Sequence, residues 1–117
     1  MLQVLALQCV VVWLFNSDTI LCVSPLVRLE ALVKPLSEGN HALANDYDDF
    51  LREQYWLSLD DAVFEYAIRL RVAHQLKTPD ALHLATAHRH GCTEFWTNDN
   101  RLLGVPVDME MNIIIIA

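Results

Sequence analysis

Three observations predict an α/β fold with a mainly parallel sheet flanked by helices. Short apolar runs alternate along the chain with stretches of helical periodicity, the pattern of strands joined by crossover helices. Two of the helical stretches open with the same start signal, Ser24-Pro25 and Thr78-Pro79. Hydrophobic residues make up 54% of the chain against only 3 Gly and 4 Pro, which excludes a disordered or low-complexity protein. At 117 residues the chain has material for one core, and it shows neither repeat nor linker.

Residues 2–15, LQVLALQCVVVWLF, are the least legible stretch. A short apolar run fits a buried strand, a strand running into a helix, or a helix. At 14 residues it is too short to span a bilayer, and no Lys or Arg precedes Arg28, so the basic part of a signal peptide is missing. Asn16, Ser17 and Asp18 form a turn signal, and Thr19 to Val23 reads as a buried strand. Ser24 and Pro25 open a helix with Leu26, Leu29, Leu32 and Val33 expected inward. Pro35 and Gly39 end or kink it. A second helix over 40–54 turns Leu43, Tyr47, Phe50 and Leu51 inward and leaves Asp46, Asp48 and Asp49 on a solvated face. Trp56 to Leu59 is a short strand. Asp60 caps a third helix reaching about Gln75, with Val63, Ala67, Leu70 and His74 along one side.

The stretch TPDALHLATAHRHG, Thr78 to Gly91, is a helix with a marked start and stop. Thr78 is placed to cap, Pro79 suits the first turn, and Gly91 suits the residue past the end. Ala81, Leu84, Ala85 and His88 give a narrow stripe of mostly small residues for close approach to the sheet. Glu94 to Thr97 is a strand and Asn98 to Asn100 a turn. Val105–Val107 and Asn112–Ile116 are candidates for the last strand, where an open edge of isoleucines would be an aggregation hazard.

The formal net charge is −7, so phosphate contacts over a broadly basic surface are not how this chain would meet a nucleic acid. A local patch or metal ions would be required. Cys9, Cys22 and Cys92 are odd in number and match no redox or metal spacing. They read as buried thiols of a reducing, cytoplasmic compartment in a soluble protein. His88 and His90 lie near Cys92, yet spacing does not bring four zinc ligands together.

Three carboxylates converge on one edge. Ligands of an open parallel sheet sit beyond the carboxyl ends of its strands. Glu30 lies in the early turns of a helix that follows a strand, Asp80 starts a helix that leads into one, and Asp99 directly follows one. Each has a plain alternative. Glu30 can pair with Lys34 one turn on, Asp80 complements a helix dipole, and Asp99 suits an Asx turn. Carboxylates gathered at one edge repel unless a cation lies between them, and Mg²⁺ takes such oxygen ligands together with waters and phosphate oxygens. Arg28, Lys77 and Arg101 are candidates for an RNA backbone, or are ordinary surface cations. His83, one turn after Asp80, reads as a partner for an acid or phosphate, or as a satisfied core histidine.

VSPLVRLEALVKPL, LKTPDALHLATAHRHGC and FWTNDNRL resemble the PIN-domain nucleases, most closely the VapC-type toxins of bacterial toxin–antitoxin pairs. The resemblance covers roughly 19–117. It implies a single PIN-like domain and hydrolysis of RNA with Mg²⁺ or Mn²⁺ held by a cluster of four acids. By position, Glu30, Asp80 and Asp99 match the catalytic and metal-holding acids, and Thr97 and Asn98 match polar positions beside them. It also implies a cognate antitoxin partner and a homodimer, with no membrane association. The segment 1–18 departs from the family. The family begins with a strand that ends in an aspartate, then two helices before the second strand. Here Asp18 is the only acid before Thr19, and it lies too close to Glu30 for that role. The domain is therefore expected to be N-terminally incomplete, with residues 2–12 candidates to fill the middle strand without supplying its carboxylate. Two functions stay open on this basis: a working ribonuclease, or a catalytically impaired module that binds an antitoxin or dimerises.

Overall fold

In the computed structural model, residues 9–15, 18–97, 99–105 and 111–115 are described. The elements run β1 (Cys9–Phe15), β2 (Asp18–Val23), α1 (Pro25–Ser37), α2 (His41–Arg52), β3 (Tyr55–Trp56), α3 (Asp61–His74), α4 (Thr78–Arg89), β4 (Glu94–Thr97), a 3-10 helix (Asn100–Gly104) and β5 (Asn112–Ile115). The five strands form one sheet in the order β3-β2-β1-β4-β5. β2 pairs with β3 and β4 with β5 in parallel, whereas β1 is antiparallel to both β2 and β4. Four strands thus run one way, and β1 alone opposes them.

This settles the second half of the ambiguous apolar run, residues 9–15, while residues 2–8 lie outside the described residues. Cys9–Phe15 is a strand and takes the centre of the sheet, in reverse. Phe15 pairs with Asp18, so only two residues separate β1 from β2. A connection that short permits an antiparallel hairpin, and a parallel neighbour would need a crossover. At the carboxyl edge of β4 the neighbouring residue is therefore the start of β1, with Cys9 opposite Thr97.

Alternation along the strands divides the core in two. Cys22 and Phe95 join Val63, Ala67, Leu70, Ala81, Leu84 and Ala85 between the sheet and α3/α4. Val23 packs on the other face with Val27, Ala31, Leu32, Ala44, Tyr47 and Leu51 of α1/α2. The result is a sheet between two helical layers.

Most expected elements stand where they were read, with instructive exceptions. Ser24 caps α1 by accepting from the Val27 N–H at 3.3 Å. The inward face of α1, however, is Val27, Ala31, Leu32 and Pro35, while Leu29 and Val33 are 59% and 56% exposed. Smaller side chains bring the helix closer to the sheet, and they win that face over the leucine-rich one. Leu36 continues the exposed stripe. Phe64, Ile68 and Val72 form another on α3. Thr78 does not cap α4. It is the first helical residue, and its Oγ1 accepts from Arg71 Nη1 at 2.9 Å. The stripe on α4 is wider than expected, with His83, Thr86 and Ala87 also buried, whereas His88 is half-buried and stacks on Tyr66. Gly91 has φ +73°, the left-handed residue that lets the chain leave α4. The third strand is Tyr55–Trp56, shorter and earlier than expected. The last is Asn112–Ile115, at the sheet edge beside the 3-10 helix. The alternative over 105–107 falls largely outside the described residues. No described helix is long and apolar enough to cross a membrane.

Candidate active site

β2 and β4 end at the same edge because both oppose β1. From that edge α1 departs, and α4 begins there before leading back into β4. Asp80 is the third residue of α4, in its first turn. Asp99 follows β4 directly, its N–H donating to Thr97 Oγ1 at 3.0 Å. The two carboxylates line one cavity of about 210 Å³, together with His74, Gln75, Leu76, Lys77, Arg101 and Leu102.

Burial, and then the charge of Asp99, push the Asp80 carboxyl above its ordinary value. Glu30 adds to this, while His83 and Arg101 oppose it. Asp80 thus feels both other carboxylates as like charges. Asp99 is shifted the opposite way. Arg101 holds it below the ordinary carboxylate range, through hydrogen bonds from Nε at 2.9 and 3.1 Å and from Nη2 at 2.6 Å. Asp99 Oδ1 also accepts the Arg101 N–H at 3.0 Å, so the Asx-turn reading is realised as the cap of the 3-10 helix.

Glu30 reaches the site through α4. Its Oε1 lies 2.5 Å from Nε2 of His83, which is 2% exposed. Both readings of His83 therefore hold, since it is a core histidine and the partner of an acid. Glu30 also borders a separate cavity with Ala31, Lys34, Pro35, Glu38, Leu43 and Tyr47. Among the described residues, no group of three His, Cys, Asp or Glu side chains is placed to hold a metal ion. Of the three candidate acids, Asp80 and Asp99 line one cavity and Glu30 lines another.

The other candidate residues fall out as follows. Thr97 is 1% exposed, and its hydroxyl braces the turn to Asp99. Arg28 forms a two-pronged pair with Asp48 across α1 and α2, at 2.8 and 2.9 Å. Arg101 points into the acidic edge rather than away from it. Asn98 lies outside the described residues. Sequence reasoning did not single out His74 or Gln75 as lining residues. Gln75 ends α3 with φ +56°, a conformation that no sequence signal marks for glutamine.

A model of the PIN domain matches residues 9–107. The chain belongs to the PIN-domain family. The match takes in β1, so this PIN domain keeps a strand at the sheet centre although that strand runs in reverse. PIN domains are generally nucleases. Among solved structures the PIN domain is similar to a toxin–antitoxin complex from Klebsiella pneumoniae. The two share 22% identity and a TM-score of 0.62, over 77% of this chain and 74% of that one. At that identity the likeness concerns the fold. No curated protein matches the chain.

Proposed function

We propose that this PIN domain is a metal-dependent endoribonuclease of the VapC toxin type, hydrolysing RNA phosphodiester bonds at the edge that carries Asp80 and Asp99. One observation carries the reading. Two carboxylates from different elements face one cavity, and Asp80 is held above its ordinary value there by burial and by the charge of Asp99, although Asp99 is itself paired with Arg101. Nothing in folding requires that juxtaposition, and a hard divalent cation relieves it. The donor set is chemically suited to Mg²⁺ or Mn²⁺, since two carboxylates plus water and phosphate oxygens are a common set for these ions. Asp80 and Asp99 would hold the ion, with Glu30 within electrostatic reach. When bound, it would supply positive charge for the phosphodiester and make a nearby water more acidic.

The chain's own groups have separable tasks. Thr97 fixes the turn that aims Asp99. His83 fixes the carboxylate of Glu30. Arg101 neutralises Asp99 when no other cation does, and becomes available to a phosphate once Asp99 is otherwise engaged. Lys77 borders the same cavity as a second cation for the RNA backbone. Arg28 would have to leave Asp48 to do the same.

The test is cleavage of a mixed RNA pool by the purified chain with Mg²⁺, with Mn²⁺ and with a chelator, beside Asp80→Asn. Activity that the chelator and the substitution both abolish supports the reading. Activity that survives Asp80→Asn belongs to another site or to a contaminant.

A second reading is favoured by the reversed central strand, CVVVWLF, which carries no acid. On that reading the chain is a catalytically impaired module that binds an antitoxin or a second copy of itself. The exposed apolar stripes Leu29/Val33/Leu36 and Phe64/Ile68/Val72 support such contacts, and the similar structure is itself a toxin–antitoxin complex. A monomeric, inactive protein that captures no partner would count against both readings.

A further inference from the structure

A cation-rich hollow lies away from Asp80 and Asp99. It is a cavity of about 400 Å³ lined by Ala62, Tyr66, Arg69, His88 and Arg89, between α3 and the last turn of α4. Tyr66 and His88 stack with ring centroids 4.4 Å apart and planes 16° from parallel. The Arg69 guanidinium sits 5.1 Å from the Tyr66 centroid. The group is thus a layered stack of guanidinium, phenol and imidazole, with a second guanidinium beside it. Among the described residues, no carboxylate lines the cavity.

That is unexpected on a chain of net charge −7. Of its six arginines, Arg28, Arg52, Arg89 and Arg101 each pair with an acid among the described residues, whereas Arg69 and Arg71 do not, and Arg71 is held instead by Leu76 O and Thr78 Oγ1. Arg89 is held only loosely. Its contacts to Asp60 are 3.3 and 3.4 Å long, and both side chains are largely exposed. An exposed pair of that kind gives way readily to a better anion. Two guanidiniums next to a stacked pair of rings suit one chemical class above others, a nucleotide, whose base continues the stack while its phosphate takes the arginines.

We propose that this α3/α4 hollow is a single-stranded RNA subsite, which holds a nucleotide of the substrate at a distance from the cleavage edge. His88 lies eight residues beyond Asp80 on the same helix, roughly 12 Å along its axis. One oligonucleotide can therefore span both places. The subsite explains how an acidic protein grips a polyanion: a local patch does the work that overall charge does not. The inference rests on the ribonuclease reading for its choice of RNA.

The test is fluorescence anisotropy of a labelled, short, single-stranded oligoribonucleotide of mixed sequence, with chelator present so that nothing is cut. The proteins are the full chain, Arg69→Gln/Arg89→Gln, Tyr66→Ala and Tyr66→Phe, each checked for fold by circular dichroism. The double arginine variant is expected to bind roughly tenfold more weakly, with a log–log salt slope shallower by about 1.4, or about 0.7 for each lost phosphate contact. Tyr66→Ala is expected to lose roughly tenfold, and Tyr66→Phe, which keeps the ring, to bind as the parent does. Inorganic phosphate that competes as well as adenosine monophosphate would mean that the hollow reads phosphate alone, and would overturn the stacking role. Equal RNA affinity across all variants overturns the subsite, even if an acidic protein segment proves to bind there. Cleavage run in parallel keeps the two ideas apart. Variants that bind as the parent does beside an active parent sink only the subsite, whereas patch-dependent binding by an inactive parent sinks only the nuclease.

Discussion

His83 Nε2 and Glu30 Oε1 meet at 2.5 Å, tying α4 to α1 across 53 positions of sequence. The histidine is almost fully buried and the carboxylate one-fifth exposed. Replacing His83 by Leu leaves an acid at a protein edge without its donor, at a cost of roughly 1–3 kcal/mol. Gln, which keeps a donor, is expected to recover part of the loss. Urea unfolding of His83→Leu, Glu30→Ala and the double variant would report a coupling of about 0.5–3 kcal/mol between them. Strict additivity of the two single losses would show that the contact contributes nothing in solution.

Asp80 and Asp99 bend the pH dependence of stability in opposite directions. The Asp80 carboxyl is raised above its ordinary 3.8, by burial first and by Asp99 second. In the window just above 3.8 the folded chain therefore binds more protons there than the unfolded chain, and stability falls as pH rises through it. Asp99 is lowered, chiefly by Arg101, so its contribution is present above the ordinary value and is lost as pH falls through the lowered one. Asp80→Asn is expected to raise the melting temperature at neutral pH and to have little effect below 3.8. Asp99→Asn is expected to lower it at neutral pH. Melting curves of the three proteins across the acid range decide this. A lower neutral melting temperature for Asp80→Asn would mean that its ionised form is stabilising after all.

What could be read from the sequence was what local rules dictate. Ser24 and Asp60 are capping residues, and they cap. The strand Glu94–Thr97 and the placing of Asp80 and Asp99 at one edge follow from element order alone, whereas Glu30 borders a different cavity. What could not be read depends on packing between distant parts. Leu29 and Val33 look like core, yet they yield to Val27 and Ala31 because the helix sits closer to the sheet that way. Thr78 looks like a cap, but its hydroxyl is claimed by Arg71 from the previous helix. The His83–Glu30 contact and the Tyr66–His88 stack join separate helices, and no spacing rule marks them. The direction of β1 was in principle legible, because two residues cannot carry the chain back to start a parallel strand. The missing piece was that the apolar run is a strand at all.

The thiols of Cys22 and Cys92 are expected to be slow to react. They are 0% and 4% exposed, and hydrogen bonding to Cys22, together with burial, pushes the Cys92 thiol far above its usual value. Thiolate, not thiol, is the nucleophile. Titration with a chromogenic disulfide should leave both unmodified in the folded protein on a timescale where denaturant exposes them at once. Mass spectrometry of the digested product assigns the sites. Rapid labelling of Cys92 in the native state would mean that the layer between the sheet and α3/α4 opens readily.

Arg101 is the group most directly in competition with a metal ion. It engages both oxygens of Asp99, so a divalent cation must displace a guanidinium before it can use that carboxylate. The pair is surface-exposed on the arginine side, and displacement is therefore cheap. Arg101→Gln removes the competitor and one positive charge, and should tighten Mn²⁺ binding by roughly two- to fivefold in calorimetric titration. Asp99→Asn should abolish it, since Asp80 alone is a poor site for a hard dication. The same Arg101→Gln protein is expected to cleave RNA less well, because a cation available to the phosphate is lost. Tighter metal with weaker cleavage is a combination that simple damage to the fold would not produce. Unchanged Mn²⁺ affinity in Arg101→Gln would show that Asp99 is not where the metal binds.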